Sequence, residues 1–267
     1  MKVGIVGCGA IGSFLAREIQ RTLQGRMHLA GVCDVDPCRT AALKKSLRAP
    51  VKNFSLAELA KRVDLLIEAA GMAAVPPVFK QALRQRADVM VMSSGGLLKQ
   101  PGLLARAKKR GVRVYVPSGA LAGLDAVKAA RQGKIRCVTL TTTKPLDSLR
   151  DAPYVKERGI DLDRPGEEIV VFEGTALQAV AGFPQNINVA AALSLAGVGG
   201  RRTRVRIVAS RTTQRNTHSI EITGDFGTIR CCTENVPSAR NPKTSRLAMY
   251  AALAMLEDLA AGVRIGT

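Results

Sequence analysis

The chain opens with Lys2-Val3-Gly4-Ile5-Val6-Gly7-Cys8-Gly9-Ala10-Ile11-Gly12, and the reading of this stretch decides the fold. Residues 2–6 form an apolar run of the kind found in strands buried on both faces. Gly7, Gly9 and Gly12 then match Gly-x-Gly-x-x-Gly, and Ile11, Phe14, Leu15, Ile19 and Leu23 follow at helical spacing. The glycine pattern alone is a weak signal. Strand, turn and helix in that order supply the context its mechanism needs. Gly7 permits the tight turn, Gly9 lets a pyrophosphate approach the backbone, and Gly12 lets helix pack on strand. The anion then meets the N–H groups of Ala10 and Ile11 at the positive end of the helix dipole. Asp34 closes the second strand, where such folds place an acceptor for ribose hydroxyls, which favours NAD. Arg39 lies close enough to face a 2′-phosphate, so the expected cofactor is NAD or NADP.

Working outward, strands are expected at 28–33, 63–69, 89–92 and 112–116, and helices at 39–47, 76–86 and 102–110. Ser55-Leu56-Ala57-Glu58 reads as a capping box that opens one more short helix. This alternation predicts an α/β fold, a Rossmann-type doubly wound parallel sheet covered on both faces. Ligands of such sheets lie beyond the carboxyl ends of the strands, which makes Ala70, Gly71 and Ser93 cofactor candidates and Ser118 a substrate candidate. After Gly119 the texture changes. Strands at 135–143, 168–172, 204–209, 217–223 and 228–232 run largely without intervening helices, the last two joined as a hairpin across 224–227. Helices are expected at 124–131, 189–196 and 245–260, with a long polar loop over 146–164. The second half therefore reads as an α+β domain with a mainly antiparallel sheet.

Composition narrows the function. The 267 residues are 46% apolar but lack Trp and hold only 3% aromatics, so the core must be aliphatic and a stacking platform for single-stranded nucleic acid is disfavoured. The net charge is +19, and residues 1–118 alone carry 20 basic against 7 acidic side chains. Solvated helix faces account for such an excess. It also draws in an anionic cofactor and a dianionic substrate. Nucleic acid is disfavoured as a partner, because there is neither a helix-turn-helix signature nor a separate basic tail. No apolar stretch is long enough to span a membrane, and Met1-Lys2 runs straight into a strand, unlike a signal peptide. The expected location is the cytoplasm. Six cysteines without a Cys-x-x-Cys pair, and only two histidines, argue against zinc and for reduced thiols.

Four further stretches carry a resemblance. Residues 117–125 read Pro-Ser-Gly-Ala-Leu-Ala-Gly-Leu-Asp, and residues 183–191 read Phe-Pro-Gln-Asn-Ile-Asn-Val-Ala-Ala. Residues 216–221 read Asn-Thr-His-Ser-Ile-Glu, and residues 241–245 read Asn-Pro-Lys-Thr-Ser. In this order and spacing, over nearly its whole length, the chain resembles the L-aspartate dehydrogenase family. The resemblance implies oxidation of L-aspartate, a small dicarboxylic amino acid, with NAD or NADP to iminoaspartate. That product yields oxaloacetate and ammonia or feeds NAD biosynthesis. It also implies that His218 is the catalytic residue, that Ala122 and Asn188 contact the nicotinamide cofactor, and that the protein is a homodimer. The final helix, with Leu247, Tyr250, Ala251, Ala254, Leu256 and Leu259 as its apolar face, is expected to return to the first domain. The implied domains are 1–118 with 240–267 for the dinucleotide, and 119–239 for substrate, catalysis and dimerisation. One departure stands out: Thr143 occupies a place where Arg is expected.

The residues themselves support His218. It lies on a strand of the second domain, and an imidazole titrates naturally near neutrality, which suits a group that orients or activates water for attack on an imine. His28 begins the second strand and reads as structural. Asn188 serves equally as a helix N-cap or as a ligand donor. Two carboxylates on the substrate call for cationic or N–H donors, and Lys144 and Lys243, each beside a proline, are the candidates, with Asn216 of the Asn-Thr-His stretch as a further substrate contact. Two other readings compete: a related dihydrodipicolinate or homoserine type of enzyme, and a non-catalytic dinucleotide-binding regulator.

Overall fold

A computed structural model describes residues 1–183, 187–238, 241–261, 263, 265 and 266, the side chains at 241–243 excepted. The chain divides into two units, Met1–Pro117 with Met249–Arg264 and Ser118–Ala248 with Ile265–Thr267.

The first unit runs β1 (Lys2–Val6), α1 (Ala10–Thr22), β2 (His28–Cys33), α2 (Pro37–Lys45), α3 (Leu56–Ala60), β3 (Leu65–Glu68), α4 (Val75–Gln85), β4 (Asp88–Val91), α5 (Gly95–Lys99), α6 (Gly102–Arg110) and β5 (Val114–Tyr115). The five strands are parallel and lie in the order β2-β1-β3-β4-β5. The chain winds outward in one direction from β1 to β2 and in the other from β3 onward. The switch point, where open α/β sheets bind ligands, therefore lies between β1 and β3. Local chemistry sets the helix ends. Ser55 and Glu58 form the capping box of α3, and Gly111 ends α6 in the left-handed conformation. The sheet is nearly all aliphatic, with Val3, Ile5, Leu65, Ile67 and Met90 fully buried in one core with Leu15 and Ile19 of α1.

Three expectations need correction here. The strand expected at 112–116 pairs only over Val114–Tyr115. Beyond Ser93, expected only as the end of a strand, the chain forms α5, which periodicity could not show in so short a segment. The last helix, α11 (Arg246–Ala260), presents a different face from the one expected. Met249, Ala252 and Leu256 are its buried residues, whereas Leu247 and Tyr250 are exposed. The helix is apolar nearly all round, so hydrophobicity alone does not select a face.

The second unit holds α7 (Leu124–Ala130), β6 (Ile135–Pro145), α8 (Pro153–Glu157), β7 (Glu168–Thr175), α9 (Ala176–Gly182), α10 (Asn188–Ala196), β8 (Thr203–Ser210), β9 (Asn216–Gly224), β10 (Gly227–Asn235), β11 (Pro237–Ser238) and β12 (Asn241–Ser245). Its main sheet has the order β10-β9-β6-β8-β7 and is antiparallel except between β6 and β8. Pleating divides the sheet into two faces. Val138, Leu140, Val205, Ile207, Ile220 and Ile222 are buried, while Arg204, Arg206 and Glu221 are exposed. The long loop is pinned by Tyr154, whose ring lies 5.4 Å from Phe172 and 5.1 Å from Phe183. α9 and the small β11–β12 pair were not foreseen. Among the described residues no helix is long and apolar enough to cross a membrane, and no cluster of three or more His, Cys, Asp or Glu could hold a metal ion.

Leu256 is fully buried in the core of the first unit, so Leu256→Ala should cost about 2–5 kcal/mol, read from urea denaturation. An unchanged midpoint would place α11 outside that core.

Candidate active site

The glycine turn is built by close approach. Gly7 has φ 101°, a left-handed value, and a side chain there would lie 2.6 Å from the backbone of Ala69 and Ala70. A Cβ on Gly12 would collide with the Gly7 carbonyl oxygen. Gly9, at the N-cap of α1, instead faces open space, with no side-chain cap and no acidic residue in the first turn. That combination leaves an open, electropositive helix start, a fit for a pyrophosphate. Ala10 and Ile11 begin this helix, half-buried.

Asp34 is tied into the same turn. One of its oxygens accepts from the Cys8 N–H at 2.5 Å, and the other accepts from the Asp36 N–H at 2.9 Å. Arg39 is exposed and pairs with Asp36 at 3.3 Å. Ala70, Gly71 and Ser93 follow β3 and β4 at their carboxyl ends, and all three donate to the Glu68 carboxylate. Sequence reasoning missed Glu68. Its signal was a lone acidic residue closing the apolar run 65–67.

In the second unit, β9 brings His218 opposite Thr142 of β6, and Thr142 Oγ1 and His218 Nδ1 share a hydrogen bond of 3.1 Å. Lys144, two residues further along the same face of β6, is buried as well. Burial and, secondarily, the Lys144 charge pull the His218 pKa down to about 3. Burial pulls the Lys144 ammonium down to about 8. The expectation of an imidazole titrating near neutrality is therefore corrected: the ring is desolvated beside a cation, and both effects oppose its protonation.

A polar network supports this strand. Thr233 of β10 pairs in register with His218. The Thr233 hydroxyl and the Asn235 amide both donate to the carbonyl of Ala120, at 2.8 and 3.2 Å. Ser245 donates to Asn235 and accepts from the Leu247 N–H. The loop carrying Ser118 and Ala122 is thereby anchored beside the strand partner of His218. Ser118 and Asn216 are half-buried, and Ala122 is exposed. Asn188 is the first residue of α10 rather than its cap; Ile187 takes the cap position. Residues 184–186 of the second motif and the side chain of Lys243 lie outside the described residues. Thr142 and Asn235 were not singled out from sequence, because only strand register reveals their neighbours.

Comparison with known proteins follows this division. Residues 125–259 match the model for the C-terminal region of aspartate dehydrogenase, and residues 7–117 match the NAD-binding domain model of homoserine dehydrogenase. The chain is 42% identical to an L-aspartate dehydrogenase of Methanosarcina mazei, over 100% of both chains. It is 40% identical to L-aspartate dehydrogenase 3 of Bordetella bronchiseptica, over 99% of this chain and 97% of that one. Among solved structures, aspartate dehydrogenase from Thermotoga maritima superposes with a TM-score of 0.76 at 26% identity, covering 100% of this chain and 99% of that one.

The ring of His218 should stay neutral from about pH 8 down to about pH 4, followed by NMR of the imidazole. The sign for stability follows. The unfolded chain takes up a proton below about pH 6.5 that the folded ring refuses, so this contribution to stability falls as pH drops from there toward about 3. A ring signal titrating near 6.5 would show a solvated imidazole instead.

Proposed function

The chain belongs to the aspartate dehydrogenase family, and on that premise we propose how its own residues carry the NAD(P)-dependent oxidation of L-aspartate through iminoaspartate to oxaloacetate and ammonia. The observation that carries the reading is the burial of Thr142, Lys144 and His218 together on one face of the second sheet, with Thr142 bonded to the imidazole. The readings as a dihydrodipicolinate or homoserine type of enzyme, or as a regulator, are not favoured, since the C-terminal match is to aspartate dehydrogenase.

The first unit fits a dinucleotide through its open helix start and glycine cradle. When bound, NAD or NADP supplies the acceptor for the hydride that leaves the substrate Cα. Gly7, Gly9, Ala10, Ile11 and Gly12 would hold the pyrophosphate, and Asp34 the adenosine ribose. Ala70, Gly71 and Ser93, with Ala122 and Asn188, would meet the nicotinamide end. Asp34 already spends both oxygens on backbone N–H groups, which fixes its position for the ribose.

Lys144 would hold a substrate carboxylate. An ammonium with a pKa of about 8 keeps most of its charge near neutrality, and an anion docked against it would stabilise that charge further. Ser118, Asn216 and Lys243 are further substrate contacts in this proposal. His218 acts on the imine. With Nδ1–H donated to Thr142 Oγ1, Nε2 keeps a lone pair that accepts a hydrogen bond from the attacking water. Water adds to the C=N carbon, and loss of ammonia leaves oxaloacetate. A ring so hard to protonate orients the water rather than storing its proton. The working form is proposed to be a cytoplasmic homodimer, checked by sedimentation and fractionation.

His218→Ala should lower kcat by about 10²–10⁴-fold while NADH binding persists. Near-normal turnover would remove the imidazole from the mechanism. Asp34→Ala should raise the KM for NAD about tenfold and that for NADP less; equal changes for both would deny Asp34 any part in choosing between them.

A further inference from the structure

Glu68 ends β3 with its side chain fully buried. Its neighbours are hydrogen-bond donors. Oε1 accepts from the Ala70 N–H at 2.9 Å, the Gly71 N–H at 2.8 Å and the Ser93 hydroxyl at 3.0 Å, and Oε2 accepts from the Ser93 N–H at 3.0 Å. Burial pushes this carboxyl up, and the four bonds oppose it. An interior carboxylate is costly unless such donors converge on it.

The contacts tie together two loops. Ala70 and Gly71 follow β3, and Ser93 follows β4. The backbone of Ala69 and Ala70 in turn lies against Gly7, so closely that no side chain fits there. In the sheet Glu68 pairs in register with Val6 of β1 and Val91 of β4. It therefore stands at the switch point, behind the loops on which a bound dinucleotide would rest.

We propose that Glu68 is a positioning residue for the cofactor: its carboxylate sets the loops after β3 and β4 against the glycine turn before any nucleotide arrives. The inference rests on the reading that the first unit binds NAD or NADP. A pocket already ordered loses less freedom on binding, and so binds more tightly. Glutamine has the right size, but its NH₂ group would oppose at least one of the four donors.

The test compares wild type with Glu68→Gln by NADH fluorescence titration, steady-state kinetics and thermal unfolding. The expected result is a folded variant whose Kd for NADH rises about tenfold, with kcat at saturating cofactor within about threefold of wild type. A merely structural role would lower Tm and leave Kd in place, and that result overturns the proposal. If Glu68→Gln does not fold, hydrogen exchange of the cofactor-free wild type decides. Slow exchange at the Ala70, Gly71 and Ser93 amides supports the proposal, and exchange as fast as in an open loop overturns it. Wild type that binds neither NADH nor NADPH would sink the cofactor reading itself, and this proposal with it. A variant that binds like wild type sinks only the positioning role.

Discussion

The first unit depends on a contact that leaves no room for a side chain. α1 starts directly over the turn that ends β1, and the Gly7 carbonyl fills the space where a Cβ at position 12 would sit. Gly7 itself is pressed against the backbone that follows β3. The turn is also stitched to β2, since the Gly7 N–H donates to the Cys33 carbonyl and the Cys8 N–H to Asp34. Held on both sides, the turn cannot relax outward. The space past Gly9 is open, and the positive end of α1 points there. Affinity for a phosphate-bearing ligand thus follows from the tightness of the packing beneath it.

The second unit follows a different rule. Its sheet buries polar and ionisable groups where an aliphatic residue would be more stable. Thr142, Lys144 and His218 occupy the inner face beyond Leu140 and Ile220, in the same register that elsewhere holds Val and Ile. Such groups persist in a core when they are hydrogen-bonded or when function requires them. The Thr142–His218 bond meets the first condition, since the threonine hydroxyl can serve the ring nitrogen as donor or as acceptor. The Lys144 charge also disfavours a proton on the ring, whereas Lys144 itself is shifted by burial alone.

Much of this was legible in the residues. The glycine turn, the parallel strands and Asp34 follow from local spacing, because each depends on residues near in sequence. The capping box at Ser55 and Glu58 was readable for the same reason. What escaped depends on pairing across the sheet. Thr142 becomes a neighbour of His218 only through the β6–β9 register, and Asn235 reaches Ala120 only through the placement of β10. Glu68 showed as an anomaly in an apolar run, but its four donors come from two loops far apart in sequence. The face of α11 was misread because an almost wholly apolar helix carries no stripe. The basicity of His218 was misjudged because burial cannot be seen from composition.

Register also answers the one departure from the expected pattern. Thr143 stands where an arginine was anticipated. Side chains alternate along a strand, and β6 is regular over this stretch. Thr142 and Lys144 point to the inner face with His218, so position 143 belongs to the outer face with Thr139 and Thr141. An arginine rooted there would start on the wrong side of the sheet from the imidazole. The charge at Lys144 is already on the right side, within electrostatic reach of His218. The loss at 143 therefore leaves the cation beside the imidazole intact, and Lys144 is the group proposed to receive a substrate carboxylate there.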